Sequence, residues 1–430
     1  MFPGMLAGMK VSSIALALAI LVVATACRIG RVDGPGETKL FESAEVAEKG
    51  EFDWPNFRGP DRNGISKETG WFPEGAKLKE HWRVPVGQGF SGVTVMGGRV
   101  YTVGYAEDQD TISCLSTSDG KVLWQYRYPA TKGALYYPGG SSATPTIADG
   151  RVYHFSRAGQ VFCLDAKSGD EIWKRDVVKE FNATMPTWGY ASSPVVLGER
   201  VYLNTGDAGL AVNKSDGNQV WLNGKKDTGY ATPVPFTTNG KLHLAILSEK
   251  EIVSVDSTDG KVLWSQRFSS GWGQNSTDPI VDGASVFVSG YNVKGKRFNL
   301  SDGEPVEGFR SETKNHVQAG VLMGDHHYSF SGKVENNRSV IQCMDWKTGE
   351  TLWEHQGHGA GSLIGSDGKL IVLGEHGALI IAEANPKEYR VLFEKKKLLE
   401  GPVWTAPTLA NGRLYCRDGK GTLVSVSFVK

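Results

Sequence analysis

Seven side chains with the means to bind something recur at one kind of place in this chain: Trp188, Tyr190, Tyr230, Trp272, His316, His358 and Trp404. They sit in the stretches PTWGYASSP (186–194), GYATP (229–233), GWGQNSTDP (271–279), NHVQAG (315–320), GHGAGS (357–362) and PVWTAP (402–407), most of them just ahead of a short apolar run. Aromatic side chains gathered on a concave rim are what ligand and peptide sites use. The seven therefore form a candidate ligand- or partner-binding rim; the competing reading is that they pack on one another and fill the space between them. Six of the nine histidines fall between 316 and 376, and His355 and His358 have the spacing of a metal pair. No helix is expected there, so no metal site is assigned. The sequence has no Ser/His/Asp elbow, no phosphate-cradling Gly loop leading into a helix and no Cys-x-x-Cys.

What must position these loops is a repeat. The hexapeptide DGKVLW occurs at 119–124 and again at 259–264. Relaxed to Gly-x-x-x-Trp, it recurs in five repeat units, ending at Trp124, Trp173, Trp221, Trp264 and Trp353. A second mark, Arg-Val-Tyr just after a Gly, ends at Tyr101, Tyr153 and Tyr202, with weaker copies ending at His243, Phe287, Tyr328, Ile371 and Tyr415. The eight marks are 41 to 52 residues apart, and a period in that region points to solenoids, propellers or arrays. Each unit reads as four short apolar runs separated by Gly, Asp and Asn clusters, which are strand and turn signals. One four-stranded sheet cannot bury both faces alone; stacking sheets radially buries them and protects their edges.

The expected fold is therefore all-β, an eight-bladed β-propeller of four-stranded antiparallel blades over 78–430. The repeats begin with an outer strand, KEHWRVPV (79–86), and end on inner ones, so strands from the two ends close the ring. Trp82, Trp124, Trp173, Trp221, Trp264 and Trp353 then occupy outer strands as blade-packing wedges. Cys114, Cys163 and Cys343 share one slot in separate blades, which argues for small buried positions and against a disulfide framework.

Lys plus Arg equals Asp plus Glu at 47 each. There is no basic field for nucleic acid. The uncharged run at 11–26 follows Lys10 and ends in Ala24-Thr25-Ala26. That pattern reads as a signal peptide over 1–26, shorter than a membrane span requires. Cys27 directly after it is a candidate for lipidation, which would place a monomer in the periplasm, held to the outer membrane by a lipid anchor. Residues 27–50 are then a flexible tether, and 51–77 a leading segment packed on the propeller.

The strings DAKSGDEIW (165–173) and DWKTGETLW (345–353) resemble the quinoprotein-type repeat, and DWPNFRGPDRNGIS (53–66) resembles the leading segment of many secreted bacterial PQQ-like repeat proteins. Two kinds of protein share this repeat. One is the propeller lipoprotein of the outer-membrane barrel-assembly machinery with its relatives, which implies a non-catalytic scaffold engaging periplasmic or outer-membrane proteins and no cofactor. The other is the quinoprotein dehydrogenases, which implies pyrroloquinoline quinone (PQQ), calcium and oxidation of small alcohols or sugars. In that second reading Trp272, Asn275 and Asp278 would be cofactor floor, cation ligand and base. No two cysteines are adjacent and the blades are compact, both departures from the enzymes, so the scaffold reading leads. The rim tryptophans alone suggest a third reading, a carbohydrate-binding propeller.

Overall fold

The structure is a computed structural model that describes residues 34–41, 50–133, 137–283, 285–301, 304–336 and 338–430. The signal peptide and Cys27 lie outside the described residues. Among the described residues, the strands form eight antiparallel four-stranded sheets, two of which carry an additional edge strand. Blades 1 to 7 span 94–129, 146–176, 195–222, 234–267, 280–311, 321–356 and 362–395 in chain order. Blade 8 takes three strands from 408–429 and its outermost strand, Lys77–Pro85, from the other end of the propeller. That strand pairs antiparallel with Thr422–Val429, from Lys77↔Val429 to Pro85↔Thr422. The ring is thus closed by both ends, as the order of the repeats requires.

The repeated hexapeptide is an interlock between blades. Four of the outer-strand tryptophans lie over the Gly of the next blade's turn. A Cβ on Gly120 would come within 2.8 Å of the Trp82 ring, one on Gly169 within 2.6 Å of Trp124, one on Gly217 within 2.7 Å of Trp173, and one on Gly260 within 2.6 Å of Trp221. These glycines also hold positive φ, 71° to 78°, so both backbone and contact demand Gly. The indole N–H then donates to that same turn: Trp82 to Thr117 O, Trp124 to Ala166 O, Trp173 to Lys214 O and Trp221 to Ser257 O, at 2.9 to 3.3 Å. Blade 5 has lost the tryptophan, and Phe309 covers Gly349 in its place.

Local register aims the wedge. In blades 1, 2, 3, 4, 6 and 7 the third and outer strands slip by one residue beside the aromatic: Cys163 pairs with Trp173 but Leu164 with Glu171. A bulge of this kind bends the strand and re-aims its side chain. Opposite the tryptophan sits a small residue, Cys114, Cys163, Ala211, Ser254 or Cys343. Behind it lies the repeat tyrosine, with Tyr101, Tyr153, Tyr202 and Tyr328 centred 6.0 to 6.1 Å from their tryptophans. The four described cysteines are buried and free.

Two N-terminal pieces depart from this periodicity. Glu37–Leu40, inside the stretch read as a tether, pairs antiparallel with the outer strand of blade 1, Glu37↔Arg127 to Leu40↔Trp124. The second piece, residues 53–68, enters the axis from the face carrying the turns between first and second strands and returns to that face. Asp53 accepts from Asn411 and Gly97 at that face. Trp54 bridges Val95 of blade 1, Pro55 O accepts from Ile147 of blade 2, and Arg62 donates to Val196 O of blade 3. Arg58 donates to Gly320 O ahead of blade 6, and Ile65-Ser66 pairs in parallel with Gly365-Ser366 of blade 7. Glu68 accepts from Gly412 of blade 8.

Candidate functional site

The loops leading into the inner strands converge at the other end of the axis. Just before its first strand, five of the eight blades carry X-Pro, at Thr144-Pro145, Ser193-Pro194, Thr232-Pro233, Asp278-Pro279 and Ala406-Pro407. Proline favours extended backbone at X, and in four of these X holds the preceding blade by a side-chain acceptor. Gly92 N donates to Thr144 Oγ1 (2.8 Å), Thr144 N to Ser193 Oγ (3.0 Å), Ser193 N to Thr232 Oγ1 (3.1 Å) and Thr232 N to Asp278 Oδ1 (2.8 Å). Farther round, Gln318 exchanges two hydrogen bonds with Leu363, and Thr405 donates to Phe90 O. Asp278 therefore fills a slot that other blades fill with a hydroxyl.

Its charge is met from the axial segment. Arg58 Nε lies 3.8 Å from Asp278 Oδ2, and both side chains are almost fully buried. Burial lifts the Asp278 carboxyl to about 6 against the pull of Arg58. Burial likewise lowers Arg58 from its ordinary value, with Asp278 opposing. Backbone oxygens of Arg62, Asn63 and Gly320 accept from the rest of the guanidinium, while Nη1 has no hydrogen-bond partner among the described residues.

Above this pair lies a cavity of ≈ 440 Å³. Trp54, Phe57 and Arg58 form its closed end, and Trp188, Tyr230, His316 and Trp404 line it, with Asp278 in the wall. Four of the seven rim residues thus come together. Trp404 stacks on Phe90 (centroids 4.5 Å apart, 19° between planes) and donates from Nε1 to Glu375 at 2.9 Å. Trp188 stands edge-on to Tyr230 at 5.8 Å. His316 accepts at Nδ1 from Val334 N, so its proton sits on Nε2; burial holds it neutral, at about 4, although Glu375 pulls the other way.

The other three lie elsewhere. Tyr190 is buried against Phe155, centroids 4.6 Å apart, between blades 2 and 3. Trp272 is 84% exposed, on a short 3-10 turn with φ 63°. His358 stands outside the cavity lining, beside His355 and Tyr389. Among the described residues no group of three or more His, Cys, Asp or Glu side chains has the arrangement of a metal site.

The chain's residues do not fit a PQQ–calcium centre. The amide of Asn275 is spent on backbone, donating to Ser248 O, Glu249 O and Phe268 O and accepting from Ser270 N. Trp272 lies in solvent outside the cavity lining, and the Asp278 carboxylate already faces a guanidinium. Sequence reasoning missed Arg58, Phe57, Phe90 and Tyr291 as parts of the site. Arg58 was in view within DWPNFRGPDRNGIS, but no period locates a residue that threads the axis.

The chain matches the family model described as outer membrane protein assembly factor BamB over residues 75–153, 131–331 and 337–429. Outer membrane protein assembly factor BamB of Escherichia coli K12 is 25% identical over 200 residues, 46% of this chain and 45% of that protein. Quinoprotein alcohol dehydrogenase PedH of Pseudomonas putida KT2440 is 27% identical over 165 residues, 36% of this chain and 27% of that protein. The matched stretches span less than half the length of either relative. The crystal structure of BamB from Moraxella catarrhalis superposes with a TM-score of 0.60 at 16% identity, covering 82% of this chain and all of that one. At that identity the likeness speaks to the fold.

Proposed function

From a chain that belongs to the family of outer membrane protein assembly factor BamB, we propose a non-catalytic scaffold of the bacterial cell envelope that binds proteins assembling the outer membrane. In this reading it is exported by residues 1–26, lipidated at Cys27, and works as a monomer at the periplasmic face of the outer membrane. Partners engage the rim around Trp188, Tyr230, His316 and Trp404, or add a strand to a blade edge. One observation carries the non-catalytic half of the reading. The chain's own residues 53–68 close one end of the axis, and their Arg58 faces the one carboxylate that an enzyme reading would use as base. The dehydrogenase reading ranks second, because the fold is shared with quinoprotein enzymes while Trp272, Asn275 and Asp278 do not converge.

The test is photo-crosslinking in intact cells, with the crosslinker at Trp188 or at Ile172 on the exposed outer strand of blade 2. The expected product is a defined adduct with an outer-membrane assembly protein from at least one position. Saturable PQQ binding that needs calcium, with dye reduction by alcohols, would overturn the reading.

A further inference from the structure

We propose that the axial cavity is a saccharide-binding site, admitting a pyranose unit of a glycan from the face of the inner-strand loops. The inference goes beyond the scaffold role and does not depend on the identity of its partner. Three features point to a sugar.

The first is the pairing of flat faces with hydrogen-bonding groups. A pyranose presents C–H faces that lie against aromatic rings and a rim of hydroxyls that donate and accept. Trp188, Tyr230, Tyr291 and Trp404 line the cavity beside Ser142, Gln274 and other polar side chains. Its volume is that of a small-molecule site.

The second is charge. The lining carries two cations, Arg58 and Lys333, and two carboxylates, Asp278 and Glu335, while His316 is held neutral. The charges cancel, so the lining has no net attraction for phosphate, a nucleotide or a polyamine. A neutral polyhydroxylated ligand suits it.

The third is unmet hydrogen bonding together with rigidity. Arg58 Nη1, a donor, and Gln274 Oε1, an acceptor, are buried without hydrogen-bond partners among the described residues. Apolar contact would leave both unmet, whereas hydroxyl groups answer either kind. The aromatic platforms are already fixed, Trp404 by Phe90 and Glu375 and Trp188 by Tyr230. Preorganised rings lose little freedom on binding.

The test titrates the full mature chain with cellobiose, maltose and N,N′-diacetylchitobiose, with sorbitol as an open-chain polyol control. Tryptophan fluorescence and saturation-transfer NMR report binding. At least one disaccharide is expected to bind saturably where sorbitol does not, and Trp404→Ala and Gln274→Ala each to weaken it about tenfold or more. Trp404→Phe should recover part of the loss, and Trp272→Ala, outside the cavity, should change nothing. The inference is overturned by no saturable binding of any of the three to folded protein. It is equally overturned by binding that Trp404→Ala and Gln274→Ala leave intact in variants that still unfold cooperatively.

Discussion

The rim of the wheel and its axis are built on opposite rules. At the rim one device is reused with small variations: a tryptophan from one blade lies on the glycine of the next and donates to its turn. At the axis nothing repeats fully. Three successive hydroxyl caps give way to one carboxylate, and that carboxylate is matched by one arginine from outside the repeats. Uniform parts hold the ring together, and the exceptions mark where this chain differs from a generic propeller.

The largest effect should come from the rim. Trp124 is fully buried, and Trp124→Ala should cost about 3–5 kcal/mol, read as a lowered urea midpoint. Trp353→Ala, at a half-buried copy of the same slot, should cost less. Equal losses would mean that burial does not set the strength of the interlock. Next comes the axis. Asp278→Asn leaves Arg58 buried without its counter-charge and should cost about 3 kcal/mol. Pairing it with Arg58→Met should recover much of that loss, and a double-mutant cycle measures the coupling. Additive losses would show that the two residues act separately.

A smaller contrast lies in pH. Burial lowers His154 to about 3 and His327 to about 4. Folded values below the ordinary 6.5 mean that their stabilisation is complete above pH 6.5 and lost as pH falls through 4. Asp278 runs the other way. Raised to about 6 from an ordinary 3.8, it favours the fold below 3.8, and that contribution is lost as pH rises through 6. Asp278→Asn removes this counterweight, so denaturant midpoints of the variant should fall more steeply than the parent's between pH 6 and 4. Parallel profiles would remove Asp278 from the account. The smallest effect belongs to Trp272→Ala, within about 0.5 kcal/mol because its ring is in solvent.

These contrasts also show what the sequence could reveal. Blade number, ring closure and the wedge tryptophans were legible because each is periodic, and spacing survives in a string. The rim was legible in part. Trp188 and Tyr190 are two residues apart, yet one lines the cavity and the other is buried against Phe155. Equivalent positions in a list of loops do not fix where side chains point, since each loop follows its own path; the positive φ at Trp272 is one example. Asp278 read as a candidate base because its partner comes from 220 residues earlier in the chain, outside any repeat.

Ring closure has a mechanical consequence. Lys77 sits opposite Val429, so the chain enters the strand Lys77–Pro85 and leaves the strand Thr422–Val429 on the same side of the closing sheet. Tension applied between them would load its hydrogen bonds one after another, as a zipper opens, instead of all at once in shear. The clasp that closes the ring is therefore loaded one residue pair at a time by such a pull. Residues 53–68 lie just ahead of that strand and are fastened to blades on several sides. A pull arriving from the N-terminal side is spread into the wheel before it reaches the clasp.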